Sequence, residues 1–176
     1  MTSNFLQAFA GLMGNEGGFS INPHDPGNWT SGVVGQGELQ GTMWGVSCKV
    51  ARANGYTGDM RDMPQSFAAG LAKPKYWDPY KLDQVSQEVA FAVFDTAYNG
   101  GHPATWLQKA SGVVQDGVIG PKTLAAVQAA DQDKIVMAFD AERIDYLRSL
   151  KTWPDFGDGW MARIANNLRR AARTTN

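Results

Sequence analysis

The stretch Gly14-Asn15-Glu16-Gly17-Gly18-Phe19 separates two kinds of sequence at the start of the chain. Before it, Phe5, Phe9, Leu12 and Met13 recur at i, i+4, i+7 and i+8, one stripe of a short amphipathic helix. Glu16 continues that stripe, four residues after Leu12 and seven after Phe9. Gly17 and Gly18 supply the stop, because glycine enters left-handed conformations without steric cost. Beyond them, residues 20–46 are rich in Gly, Pro, Asn, Ser and Thr, which excludes a continuing helix.

The position of Glu16 has chemical consequences. Apolar neighbours disfavour its charged form, and so does the negative end of a helix dipole. No Lys or Arg occurs in residues 1–48 to offset either effect. A carboxylic acid kept protonated near neutral pH is what cleavage of a glycosidic bond requires of a general acid. A glutamate before Gly-Gly also serves as an ordinary solvated helix end, so the surrounding pattern has to decide. Asp25, nine positions on, sits in the compound turn Asn22-Pro23-His24-Asp25-Pro26-Gly27-Asn28. A polar turn keeps a carboxylate ionised, and two carboxylates in unlike surroundings suit acid and charge-stabilising roles at a sugar ring. Asp before Pro-Gly is equally at home as a turn residue. Glu38 is a third carboxylate in this region, in Gly-rich and exposed surroundings.

Composition narrows the classes. The 176 residues suffice for one domain or two lobes with a real core, and 43% hydrophobic with 11% aromatic content excludes a disordered chain. A net charge of −1 gives no sign of nucleic-acid binding. The single Cys48 excludes an internal disulfide, and two histidines, His24 and His102, argue against a metal centre; no cofactor is expected. No apolar run reaches the length of a membrane span. Residues 1–10 lack a basic stretch, so synthesis in a cytoplasm without an ordinary signal peptide is expected, and a substrate outside would require another route of delivery. Residues 160–176 carry Arg163, Arg169, Arg170 and Arg173 without an acid, a candidate surface for an anionic polymer or lipid.

Element by element, glycine density between Trp29 and Val46 predicts a small β-ribbon or hairpin lobe. Ser47 is placed to cap a helix to about Ala53. Pro64 opens another helix with Phe67, Ala68 and Leu71 inward, closed by the two prolines of Lys73-Pro74-Lys75-Tyr76-Trp77-Asp78-Pro79. Val89 to Ala97 is apolar on most sides, a buried central helix ending at Asn99-Gly100-Gly101. Pro103 and Pro121 open further helices. Asp133 is placed to cap a helix to Leu150, residues 153–157 form a loop, and residues 160–173 form the last helix. The expected class is α+β, predominantly α, with a small β-hairpin lobe (residues 1–86) on a larger helical lobe (87–176), the two forming one compact unit.

Several ordered blocks carry a resemblance. Glu16-Gly17-Gly18-Phe19, Asn22-Pro23-His24-Asp25-Pro26-Gly27 and Gly41-Thr42-Met43-Trp44-Gly45-Val46-Ser47 resemble the N-terminal signature of the N-acetylmuramidase family of glycoside hydrolases (family 108), which includes phage endolysins. Tyr76-Trp77-Asp78-Pro79, Phe94 to Gly101 and Asp116 to Thr123 resemble its later blocks, the last two in a region described as peptidoglycan-binding. The resemblance implies a lysozyme-like fold that hydrolyses the β-1,4 bond between N-acetylmuramic acid and N-acetylglucosamine in bacterial peptidoglycan, working as a monomer. It implies Glu16 as the acid. It leaves the third member of the site open between Thr30, Ser31 and Thr42, with Thr42 in the block where the family has its threonine. Asn99 is a candidate for an N-acetyl group, and Trp44, Tyr76 and Trp77 are candidates for stacking on sugar rings; each also reads as cap or core. A lytic transglycosylase, or a non-catalytic peptidoglycan-binding protein, are the competing functions.

Overall fold

Side-chain oxygens and prolines begin most of the helices. In the computed structural model, residues 4–14 and 18–174 are described. Helix α1 (Asn4–Met13) buries Phe5, Ala8, Phe9 and Met13, the stripe read from the sequence, while Leu12 is half-buried. Glu16 and Gly17 lie outside the described residues.

The residues group into two compact units, Phe9–Lys73 and Met1–Ala8 with Pro74–Asn176. Ser86, where the sequence reading put its lobe boundary, is an N-cap within the second of these.

In the unit of residues 9–73, strands β1 (Thr42–Met43) and β2 (Val46–Ser47) form an antiparallel hairpin pairing Thr42 with Ser47 and Met43 with Val46. Both turn residues have positive φ, Trp44 at 52° and Gly45 at 73°, the geometry that matches hairpin twist. Isolated bridges join Ser20 to Thr42 and Trp29 to Leu39. The ribbon is therefore shorter than glycine density alone implied: the backbone of residues 29–40 is mostly turn. Gly41 is required here, since a Cβ would stand 2.5 Å from the Ser20 carbonyl oxygen and φ is +82°. Ser47 caps α2 (Cys48–Ala53), accepting from the Val50 amide at 3.5 Å.

Helix α3 (Gln65–Tyr76) departs from expectation twice. It runs through Pro74, and its buried face is Ala68, one of the residues read as inward, with Ala69 and Ala72, whereas Phe67 and Leu71 are half-buried. Proline forfeits one hydrogen bond to the carbonyl four residues back. That carbonyl belongs to Gly70, an exposed position where water can take its place, and the helix ends two residues later.

The second unit is helical. Helix α4 (Gln87–Asn99), capped by Ser86, buries every residue from Val89 to Thr96. Around it pack α5 (Pro103–Ala110), α7 (Gln132–Ser149) and α8 (Trp153–Thr174), and α6 (Pro121–Ala129) packs on α5 and α7. The cap of α7 is Asp131, not Asp133: its carboxylate accepts from the amides of Asp133 and Lys134. Residues 153–157 are the first turns of α8 and not a loop. Proline is compatible with a first helical turn, and Gly157 lies so close under Trp153 that a Cβ would meet its ring at 2.9 Å.

A buried polar cluster ties α4, α7 and α8 together. Asp95, 1% exposed, accepts from Arg143 at 2.6 Å, Arg163 at 3.0 Å and Asn167 at 2.9 Å. Breaking such a pair leaves an uncompensated buried charge and costs about 3–5 kcal/mol. Asp140, also 1% exposed, stands beside this cluster with neither carboxylate oxygen hydrogen-bonded among the described residues. Its burial pushes its pKa up to about 7, against the pull of Arg143 and with a further push from the charge of Asp95. Among the described residues no helix is long and apolar enough to cross a membrane.

Candidate active site

Asp25 is held from both sides. It caps a 3-10 turn, Pro26–Asn28, with Oδ1 accepting from the Gly27 amide at 2.8 Å and Oδ2 accepting from Asn28 Nδ2 at 2.6 Å. Asn28 is 2% exposed and completes a knot. Its Oδ1 accepts from the Asn22 amide at 3.3 Å, and its carbonyl accepts from the amides of Gln40 and Gly41. The carboxylate of an exposed turn residue is thus fixed by a buried amide three positions on. The turn reading and the functional reading of Asp25 therefore describe one geometry: the Asx-type turn is what orients the carboxylate.

Three hydroxyls follow on the same unit. Ser31 Oγ is spent inside its own loop, donating toward the Gln36 carbonyl at 2.7 Å and accepting from the Val33 amide at 3.1 Å. Thr30 Oγ1 accepts from the Glu38 amide at 3.0 Å, which leaves its proton to donate. Thr42 is half-buried on β1, with its backbone paired to Ser20 and no hydrogen bond from its hydroxyl to the described residues. Glu38 is exposed and accepts from Gln40 Nε2 at 2.7 Å.

The aromatic candidates separate. Trp44 holds a left-handed φ that a side chain pays for with roughly 1 kcal/mol; its Nε1 donates to the Met63 carbonyl at 2.8 Å, which anchors the hairpin tip. Trp77 is 0% exposed, edge-on to Phe5 and Phe94, with Nε1 on Asp83. A ring with no exposed face cannot stack on a sugar, so Trp77 is core. Tyr76 is half-buried against Tyr98 with Lys75 at its ring, and burial together with the Tyr76 hydroxyl raises the pKa of Tyr98. Asn99 is exposed at the end of α4; its Nδ2 donates to the Asp95 carbonyl at 2.8 Å, so only its Oδ1 remains for a ligand N–H. Trp77, Tyr76 and Asn99 belong to the helical unit; Asp25, Thr30, Thr42 and Trp44 belong to the other.

The C-terminal arginines also divide. Arg163 is turned inward onto Asp95, and Arg170 donates to the Gln7 carbonyl and lies 4.3 Å over the Phe91 ring. Arg163 is therefore not part of an outward basic face, because a buried carboxylate claims it. Arg169 and Arg173 are exposed.

Some functional geometry had weak sequence signals. Asn28 was visible only as the last residue of a turn. Gln108, 1% exposed, organises the Asp116–Thr123 loop: its Nε2 donates to Asp116 Oδ1 at 2.6 Å and to the Val118 carbonyl at 3.0 Å, and its Oε1 accepts from the Gly117 amide. The Val118 amide and Gln108 hold the Asp116 pKa below its ordinary value. Nothing in the helical pattern of α5 marks Gln108 apart from any inward glutamine.

Comparison with known proteins places these features. Residues 9–101 match the family described as Glycosyl hydrolase 108, and residues 102–165 match the Predicted Peptidoglycan domain. Brucella abortus SagA is similar in structure, with a TM-score of 0.74 and 29% identity over 98% of this chain and 96% of that one. No curated protein matches the sequence. A glycosyl hydrolase segment followed by a peptidoglycan domain makes this a hydrolase of peptidoglycan glycan strands. The chain belongs to glycosyl hydrolase family 108.

Proposed function

We propose that the protein is an endolysin-type muramidase that hydrolyses the β-1,4 bond between N-acetylmuramic acid and N-acetylglucosamine. Glu16 protonates the glycosidic oxygen. The observation that carries this reading is the doubly held Asp25 carboxylate, nine residues from Glu16 within the matched segment. Fixed by Gly27 and Asn28, Asp25 stabilises positive charge developing on the sugar ring or orients the attacking water, with little reorganisation in the transition state. Of the candidate hydroxyls, Thr30 is the better organised, since the Glu38 amide fixes its oxygen and leaves its proton to a water. Thr42 is the other candidate for that role. The protein acts on wall peptidoglycan as a monomer without a metal, and Arg169 and Arg173 remain as the outward contact for anionic polymer.

Digestion of peptidoglycan by the wild type and Glu16→Gln, followed by mass spectrometry, tests this. Wild type is expected to release fragments with hydrated muramic acid reducing ends, and Glu16→Gln to bind the wall without releasing any. Anhydro ends, N-acetylglucosamine reducing ends, or undiminished turnover by Glu16→Gln would each overturn the assignment.

A further inference from the structure

A recess opens in the unit of residues 9–73, with a volume of about 210 Å³. Its apolar wall is Phe19, Ile21, Leu39 and Met60, and its charged wall includes Arg52 and Arg61. Phe19 is three residues along the chain from Glu16, a span that reaches at most about 11 Å.

The cations here are unusual for this part of the chain. Arg52 is fixed wholly by neutral acceptors: Gln40 Oε1 at 2.6 Å and the carbonyls of Tyr56 and Gly58. Among the described residues no carboxylate neutralises it. Arg61 stacks over Phe19, 4.7 Å from the ring centroid. Among the described residues its acid is Asp59 at 3.6 Å, with both side chains more than half exposed, a kind of pair that contributes little. The recess therefore carries two arginines against one loosely paired aspartate, behind a floor of apolar side chains.

We infer that this recess binds the peptide stem of peptidoglycan, taking a carboxylate on Arg61 and small apolar side chains against Ile21 and Leu39, with the buried Met60 beneath them. The inference rests on the muramidase reading for its substrate. The glycan of peptidoglycan is neutral once its lactyl group is amidated, and its carboxylates sit on the peptides. A subsite for neutral sugar would leave an aromatic face open, whereas the guanidinium of Arg61 covers the Phe19 ring. That stacking also fixes the plane of the guanidinium while leaving its outer N–H groups to a carboxylate, at small cost in side-chain freedom.

The test compares wild type and Arg61→Gln on peptide-bearing glycan strands and on strands stripped of peptide by an amidase. Wild type should prefer peptide-bearing strands. Arg61→Gln should lose roughly tenfold in kcat/KM on those alone, the scale of one charge-assisted hydrogen bond. Equal losses on both substrates, or no wild-type preference, would overturn the inference. Binding of N-acetylmuramyl-L-alanyl-D-glutamate, followed by methyl NMR of the full chain, gives a readout independent of turnover. Shifts at Ile21, Leu39 and Met60 that Arg61→Gln abolishes support the subsite even if glycan cleavage proves to be of another type. Their absence in wild type overturns it.

Discussion

Asp140→Asn should make the stability of this protein less dependent on pH. The carboxyl group is buried, has no hydrogen bond among the described residues, and has its pKa raised from 3.8 to about 7. Each tenfold change in proton affinity is about 1.4 kcal/mol, so the full effect is on the order of 4 kcal/mol. The sign follows from proton counting. Between about pH 4 and pH 7 the folded chain holds a proton at Asp140 that the unfolded chain has released. Stability is therefore fully present below about pH 4, declines as pH rises, and levels off above about pH 7. The groups facing Asp140 are Arg143, one turn along α7, and Asp95 on α4, with Arg163 and Asn167 on the far side of Asp95. Asparagine keeps the shape and removes the titration. Urea unfolding followed by circular dichroism at pH 5 and pH 8 should show the gap between variant and wild type widening by about 3 kcal/mol at the higher pH. A constant gap would mean that Asp140 ionises as readily in the folded protein as in the unfolded one, and the account of the cluster would be wrong.

Other outcomes follow from single contacts. Trp77→Ala should cost about 3–5 kcal/mol of stability, measured by the same unfolding, without a separate change in sugar affinity. Asn28→Ala should lower kcat on peptidoglycan by roughly ten- to a hundredfold while the fold survives, because it releases Asp25; unchanged kcat would remove Asp25 from the mechanism. Thr30→Val should lower kcat far more than Thr42→Val, and the reverse order in the same assay would return the assisting role to Thr42. Replacing Arg169 and Arg173 together by Gln should weaken wall binding and flatten its salt dependence, read from sedimentation with intact cell walls.

Local signals were legible wherever one residue type has one physical use. Ser47 and Ser86 cap helices because a hydroxyl satisfies an orphan amide, and the apolar runs of α1 and α4 are buried because water excludes them. The failures share a cause. Pro74 reads as a breaker and residues 153–157 as a loop, yet the damage a proline does depends on whether the lost hydrogen bond falls near a helix end, as it does for Pro74 and Pro154. Asp131 and Asp133 are equivalent as residue types, and only the backbone path chooses between them. Trp77 and Trp44 look alike in sequence, and tertiary packing alone buries one and leaves the other half-exposed at a turn.

The same dependence governs charge. Four arginines within residues 160–176 suggest an outward face, but a helix shows every residue to some direction, and the buried Asp95 requires compensation from α8. Arg163 supplies it, and Arg170 covers Phe91. Conversely, Arg52 and Arg61 drew no notice as isolated bases, yet neutral acceptors and an aromatic ring hold both in one recess. Charge runs therefore overstate an anionic contact in α8 and understate one beside Phe19. Where a cation's charge can act depends on what claims it first: a buried carboxylate neutralises Arg163, whereas Arg61, stacked on Phe19 and loosely paired with an exposed aspartate, keeps outer N–H groups for a substrate that brings its own carboxylate.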